Sequence, residues 1–308
     1  MEINKVIICG LGAVGLTYAN KLKDVCDLKI LANKERIEKY KNFPPELNGE
    51  KIELDYILPE EKEEADLIII STKASGLNSA IEYIKNFVGE NTIVISLLNG
   101  ISSEEKIAEV YGKEKVLYSY FIGHSAVRDG NSVIQDGVGK IVFNQAAKQP
   151  RSSAAKKVET FFKKAGIDYE MPEDIIYSLW LKFGINIYLN QSSAIMNLTM
   201  GDMKHNPHFK DLAKRLINET KQIAKASGVK NLENFETGAL AALDLMCDEG
   251  KSSMLQDILS GRKTEVDIFA GEIIKRGEKF GIPTPYNQII YDMIKINEYR
   301  FYSGKGRK

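Results

Sequence analysis

An α/β domain followed by an all-α domain is the fold this chain predicts, and three observations carry that reading. Short apolar runs alternate with amphipathic stretches through the first half, a glycine-rich turn follows the first of these runs, and strand signals stop after Met171-Pro172. Continuous apolar runs suit strands covered on both faces, as in a parallel sheet flanked by helices. Val6-Ile7-Ile8-Cys9 is the first such strand, and Ala13 to Lys23 reads as the helix after it. Leu28-Lys29-Ile30-Leu31, Leu67-Ile68-Ile69-Ile70-Ser71 and Thr92-Ile93-Val94-Ile95-Ser96 follow, with helical periodicity over Gly76 to Phe87 and Ser103 to Tyr111. From Val116 to Asn144 the pattern predicts an antiparallel extension of the sheet. Arg128-Asp129-Gly130-Asn131 forms its hairpin turn, and Gly137 and Gly139 punctuate a further strand. Ser152 to Ala165 reads as a helix and Ile167 to Glu170 as the last strand.

Past that point Ile175 to Ile195, Lys210 to Ser227, Phe235 to Met246, Glu265 to Phe280 and Asn287 to Tyr302 all read as helices. The shift from alternating to all-helical composition sets a domain boundary near residue 170, giving domains 1–170 and 171–308. The polar, glycine-rich end Ser303 to Lys308 reads as a frayed tail.

Composition narrows the function classes. The 308 residues are 44% hydrophobic and 27% charged, the mix of a globular protein rather than a disordered or fibrous one. Lys+Arg and Asp+Glu each number 42, and this zero net charge argues against nucleic acid or an acidic membrane surface as partner. Cys9, Cys26 and Cys247 are too scattered for a disulfide framework or a zinc knuckle, which favours a reducing, cytoplasmic compartment. No apolar run approaches the roughly 20 residues that span a bilayer. Met1 to Lys5 leads straight into a strand-like run, so no signal peptide is expected.

Gly10-Leu11-Gly12-Ala13-Val14-Gly15 follows the first strand directly and opens a helix. In a strand–loop–helix context each glycine serves a different need. Gly10 makes the tight turn, Gly12 lets backbone N–H groups approach a pyrophosphate, and Gly15 allows close packing of helix on strand. The helix N-terminus then faces the negative charge. This predicts a Rossmann-type dinucleotide-binding domain. At the end of the second strand, Leu31-Ala32-Asn33-Lys34-Glu35-Arg36 carries no acid to take a ribose 2′-hydroxyl, whereas Asn33, Lys34 and Arg36 offer groups to a 2′-phosphate. NADP is therefore expected over NAD. Glu35 cuts the other way, and a solvated helix start is the alternative.

In the second domain Lys182, Asn186 and Asn190 recur at i, i+4 and i+8, which stacks them on one helix face. Trp180, Phe183, Ile185, Ile187 and Leu189 surround them with apolar side chains, so a lysine and two amides need partners. Either neighbouring backbone satisfies them or they face a ligand cleft between the domains, and the cleft is the preferred reading. Ser253 and Glu265 are candidates for a hydroxyl donor and a carboxylate acceptor, against the simpler readings of a helix cap near Ser252 and a solvated first helical turn at Glu265. His205-Asn206-Pro207-His208 lacks the spacing of a helical zinc pair, and no metal is expected.

Together these residues resemble the ketopantoate reductases (2-dehydropantoate 2-reductases), NADPH-dependent enzymes of pantothenate biosynthesis. The resemblance runs over nearly the whole chain: the Gly10-to-Gly15 loop, Thr72-Lys73-Ala74, Asn99-Gly100, His124 through Gly130-Asn131, Leu179-Trp180-x-Lys182 with Asn186 and Asn190, Ser252-Ser253-Met254-Leu255-Gln256-Asp257, Thr264-Glu265-x-Asp267 and Gly281-Ile282-Pro283-x-Pro285. It implies reduction of ketopantoate to pantoate, with Lys182 as catalytic lysine and Glu265 as a carboxylate near the substrate hydroxyl. It further implies that Asn99, Asn186, Asn190 and Ser253 contact substrate or cofactor, and that Lys73 lies near the adenosine phosphate. Asn33 stands where many members have an arginine for the 2′-phosphate, Met200 where some place a further substrate-binding asparagine, and Asn144 where a glycine is common. A small 2-oxo acid is the expected partner, and a homodimer is left open.

The chemistry agrees with those residue types. Hydride addition to a 2-oxo acid builds negative charge on the carbonyl oxygen, and a lysine that donates a proton there stabilises the transition state. Two rivals remain: a related reductase of another branched 2-oxo acid, and a non-catalytic module that senses dinucleotides, against which the pair Lys182 and Glu265 counts.

Overall fold

The apolar runs of the first half become strands buried on both faces. The computed structural model describes residues 2–123, 126–146 and 152–302. Its first part contains β1 (Lys5–Cys9), α1 (Ala13–Leu22), β2 (Asp27–Leu31), α2 (Lys34–Asn42), β3 (Glu46–Leu47), β4 (Glu50–Lys51), β5 (Asp55–Ile57), β6 (Leu67–Ile70), α3 (Leu77–Tyr83), β7 (Ile93–Ser96), α4 (Ser103–Tyr111), β8 (Val116–Ile122), β9 (Ala126–Asp129), β10 (Ser132–Gln135), β11 (Lys140–Asn144), α5 (Ser153–Lys164) and β12 (Tyr169–Glu170). Among the described residues the main sheet has eight strands in the order β12-β11-β8-β7-β6-β1-β2-β5. The run from β8 to β5 is parallel, β11 pairs antiparallel with β8, and β12 returns parallel to β11. Alternate residues of one strand feed different cores: Val6 and Ile8 of β1 pack on one face with Leu16 and Tyr18 of α1, while Ile7 and Cys9 pack on the other with Leu77 and Ile81 of α3. Burial on both sides is the physical reason that the runs are continuous rather than alternating.

One expectation is corrected here. The hairpin turn at Arg128 to Asn131 is present between β9 and β10, but the hairpin does not extend the main sheet. β10 pairs with β3, and the four strands β4-β3-β10-β9 form a second sheet. Two-residue strands such as β3 and β4 carry no readable periodicity, so the pairing of β3 with β10 had no signal in the sequence. His124 and the tail 303–308 lie outside the described residues.

The second part contains α6 (Ile175–Ile185), a π-helical segment over Asn186–Asn190, α7 (Gln191–Met196), α8 (Met200–Lys204), α9 (Pro207–Ala226), α10 (Phe235–Asp244), α11 (Ser253–Leu259), α12 (Ala270–Phe280) and α13 (Pro285–Tyr302). Contacts divide the chain into two compact units, Met1–Ile175 and Ile176–Lys308. Around α9, the buried Phe183, Tyr188, Leu216, Ile217, Phe235, Phe269 and Ile273 supply the second unit's core. Two predicted helices are modified. Ile175 to Ile195 is interrupted by the π segment, and the helix expected from Glu265 begins only at Ala270, after a 3₁₀ turn at Val266–Ile268. Among the described residues no helix is long and apolar enough to cross a membrane.

Candidate active site

In the first unit the candidate residues gather at the carboxyl ends of adjacent parallel strands. The register pairs Cys9 with Leu31 and with Ile70, and Ile70 with Ser96. The segments that follow these strand ends therefore line one edge of the sheet in the order Asn99, Lys73, the Gly10–Gly15 loop, Asn33. The chain leaves β1 for β2 on one side and later crosses to β6 on the other, so the loop lies where the winding reverses. Open α/β sheets bind their ligands at such a point.

The three glycines of the loop differ in what requires them. Gly10 has φ +107°, and a Cβ there would stand 2.8 Å from Thr72 N and 2.9 Å from Ser71 C and O. A Cβ on Gly15 would run into Gly10 O and Ser71 Oγ. Ser71 Oγ donates to Gly10 O at 2.7 Å, locking this corner onto the end of β6. Gly12 is unlike both: the nearest heavy atom to its Cβ would be Ser71 O at 3.7 Å, an ordinary contact. Among the described residues nothing demands a glycine there, whereas a phosphate approaching the backbone would.

Gly12 also caps α1 without a side-chain bond, and the first turn of that helix carries no acid. The helix start thus keeps its positive end open to an anion. Thr72 Oγ1 is buried with no hydrogen-bond partner among the described residues, a second feature of this corner that a polar ligand would satisfy. Burial pushes the Cys9 thiol up to about 12, so no thiolate charge stands beside the loop. The donor set fits a dinucleotide.

Asn33 is used locally. Its Oδ1 accepts from Arg36 N at 3.0 Å and caps α2, while Lys34 and Arg36 are exposed on the first turn. Lys73 is exposed and precedes a 3₁₀ turn, and Asn99 is half-buried after β7.

In the second unit Leu179, Trp180 and Phe183 are buried and leave Lys182 half-buried on α6. Trp180 packs edge-on against Phe183, and the Arg276 guanidinium lies 5.6 Å from the centre of its indole ring. The helix carrying Lys182 passes into the π segment at Asn186, and the predicted sharing of one face by Asn186 and Asn190 is kept within it. Asn190 Nδ2 donates to Asn186 Oδ1 at 3.2 Å, so the two amides partner each other.

Ser252 caps α11 by accepting from Leu255 N at 3.1 Å. It also bonds Ser193 Oγ, which donates to Asn190 O at 3.0 Å. This hydroxyl pair pins the start of α11 to the π segment and leaves Ser253 exposed as the first residue of the helix. Gln191, fully buried, accepts from Ala270 N at 2.9 Å and thereby ties the start of α12 to the same segment.

Glu265 is half-buried, and its neighbours hold it in place. Thr264 N and Oγ1 both donate to the buried Glu298 Oε1 at 2.7 Å. Asp267 meets Lys295 at 2.7 Å and the Tyr291 hydroxyl at 3.0 Å. Arg262 Nε donates to Asp257 at 2.8 Å, closing the loop that leads to Glu265. Of the serine-rich and Thr-Glu-x-Asp motifs, then, Ser252, Asp257, Thr264 and Asp267 build the scaffold on which Ser253 and Glu265 are carried. Sequence reasoning missed Ser193, Gln191, Lys295 and Glu298, which only the helix packing brings to these positions. Met200 is buried at the start of α8 behind a Thr199–Asp202 capping box, and Asn144 bonds Pro172 O at 2.8 Å.

The ketopantoate reductase PanE/ApbA family model matches residues 6–148, and the model of that family's C-terminal region matches residues 174–298. A 2-dehydropantoate 2-reductase of Aquifex aeolicus (strain VF5) is 30% identical over 238 residues, 76% of either chain. One from Streptococcus pyogenes serotype M6 is 28% identical over 301 residues, covering 95% of this chain and 97% of its own. Among solved structures, the ternary structure of D-mandelate dehydrogenase with NADH and anilino(oxo)acetate superposes with a TM-score of 0.85 at 24% identity, over 97% of this chain and 99% of that one. A dimeric ketopantoate reductase from Staphylococcus aureus gives 0.78 at 21% identity, over 96% and 99%.

Proposed function

The chain belongs to the ketopantoate reductase family, and on that premise we propose that it reduces ketopantoate to pantoate with NADPH. The observation that carries this reading is the anchored polar set of the second unit, where Asn190 and the segment bearing Ser253 are joined through Ser193 and Ser252. The first unit holds the dinucleotide through Gly10, Leu11, Gly12, Ala13, Val14 and Gly15, with Lys73, Asn99 and the Asn33–Arg36 turn at its other parts. The second unit supplies the substrate groups and the catalysis.

NADPH, when bound, supplies a hydride to the carbonyl carbon of the 2-oxo acid. Lys182 Nζ holds the proton that passes to the carbonyl oxygen as negative charge grows there. Asn186, Asn190 and Ser253 offer N–H and O–H donors to the substrate carboxylate, and Glu265 accepts from its hydroxyl. NADPH oxidation over a panel of 2-oxo acids tests the assignment: ketopantoate is expected to give the highest kcat/KM, and no turnover with any 2-oxo acid would leave only a dinucleotide-binding module.

Met200 favours one second reading. Its buried thioether stands at the position where some members place a substrate-binding asparagine, which suits a more apolar branched 2-oxo acid. The same panel separates the two substrates. We further infer a homodimer, supported by Ile289, Met293 and Ile296 of α13, which recur on one exposed helix face. Three free cysteines support a reducing, cytoplasmic setting.

A further inference from the structure

The second sheet reaches the backbone of the glycine loop through the Arg128 side chain. Arg128, half-buried on β9, donates from Nη1 to the carbonyl of Leu11 and from Nε to Gly130 O at 3.0 Å. Among the described residues it has no carboxylate partner. A half-buried guanidinium usually pairs with an acid, and one that rests instead on the backbone of an anion-binding loop keeps its charge available to an anion.

Leu11 C=O and Gly12 N–H belong to the same trans peptide and point in opposite directions. A charged donor fixed on that oxygen therefore sets the direction of the Gly12 N–H and polarises it, making it a stronger donor. A second contact steadies this arrangement, because Thr17 of α1 bonds Gln135 on β10, the strand paired with β9. The hairpin is thus braced against the same helix whose N-terminus the loop opens.

We propose that Arg128 is a positioning residue for the diphosphate of the dinucleotide. It orients the Leu11–Gly12 peptide so that the Gly12 N–H meets the diphosphate, and it contributes positive charge to that corner. The inference rests on the cofactor reading given above and deepens it, since it assigns one side chain to one part of the ligand. It excludes a role in reading the 2′-phosphate, which falls to the turn after β2.

The intact chain, Arg128→Met and Arg128→Lys are to be titrated with NADPH, NADH, ADP-ribose and adenosine 2′-monophosphate at several salt concentrations. Arg128→Met is expected to weaken NADPH, NADH and ADP-ribose about equally, by tenfold or more. Adenosine 2′-monophosphate, which lacks the diphosphate, keeps its affinity and so reports a folded unit. The dependence of NADPH affinity on salt becomes shallower in this variant. Arg128→Lys, which keeps the charge but not the planar fork, falls between. In turnover, KM for NADPH rises while kcat at saturation stays within twofold.

A loss confined to NADPH would overturn the proposal, because it would place Arg128 on the 2′-phosphate. Unchanged ADP-ribose affinity in either variant would overturn it too, so the lysine variant decides should the methionine variant not fold. Loss of all four ligands together with a lowered Tm in both variants would reduce Arg128 to a brace for the hairpin. If the unmodified chain bound neither NADPH nor NADH, the cofactor reading itself would fall. Wild-type binding with unaffected variants removes only the assignment of Arg128.

Discussion

Gly12 is the one loop glycine with room for a side chain, and that spare room distinguishes a residue kept for a ligand from residues kept for the fold. The same distinction applies to Asn33, whose side chain is spent on capping α2. In the proposed site, recognition of a 2′-phosphate is left to Lys34, Arg36 and Lys73, all exposed. NADPH is therefore expected to bind more tightly than NADH by about tenfold, or about 1.4 kcal/mol. Paired titrations check this, and equal or better turnover with NADH at low concentration would refute it. In the proposed mechanism Lys182 donates the proton. Lys182→Ala should lower kcat for ketopantoate by at least about a hundredfold, the low end of a general-acid loss of roughly 3–5 kcal/mol, and leave NADPH affinity nearly unchanged. A loss below tenfold in folded protein would send the search for the acid elsewhere.

Among the elements, α13 depends on a buried acid from another helix. Glu219 of α9 is 4% exposed and accepts from Tyr286 N at 2.8 Å and from Asn287 N and Nδ2 at 3.0 and 2.7 Å. A carboxylate at a helix N-terminus satisfies donors that have no partner within the helix. Glu219→Ala should destabilise the protein by about 3 kcal/mol in urea unfolding, since it strands those donors in the interior. Glu219→Gln, which retains a carbonyl acceptor, should cost less. The 3₁₀ turn after Glu265 has its own dependence on pH. Burial works to raise the pKa of Asp267, but hydrogen bonds from Lys295 and Tyr291 and the charges of Lys295 and Lys263 outweigh it and hold the carboxyl below its usual range. With the folded pKa depressed, the contribution is present above the unfolded value of about 3.9 and is lost as pH falls through the folded one. Asp267→Asn should accordingly flatten the acid limb of the stability–pH curve below about pH 5, which unfolding series across that range would measure. An acid limb identical to wild type would exclude the contribution.

At the scale of the whole molecule, the chain divides its labour between two units, a sheet wound about β1 and a helical unit built around α9. The exposed apolar face of α13 belongs to the second. Sedimentation equilibrium is expected to return twice the 34.5 kDa chain mass, and charged replacements at Ile289 and Ile296 to return the single mass. A monomer at micromolar concentration would refute the homodimer.

The fold class and the glycine loop were legible in the residues because each rests on local physics, whereas the serine-rich and Thr-Glu-x-Asp motifs were legible only through the family they resemble. Burial on both faces of β1 and β6 writes continuous apolar runs, and the tight turn at Gly10 writes a glycine. The hairpin turn at Gly130 was legible for the same reason, but its destination was not. Pairing β10 with β3 joins segments far apart in the chain, and two-residue strands leave no pattern to read. The π segment had no such signal: the helical pattern runs unbroken through Asn186–Asn190, and the i,i+4 bond of Asn190 to Asn186 is the one an α-helix would also allow. Sequence alone marked Ser253 and Glu265 and the family they resemble. Tertiary structure alone decided what holds them, Ser193 for one and Glu298 and Lys295 for the other, because those contacts form only when helices distant in sequence pack together.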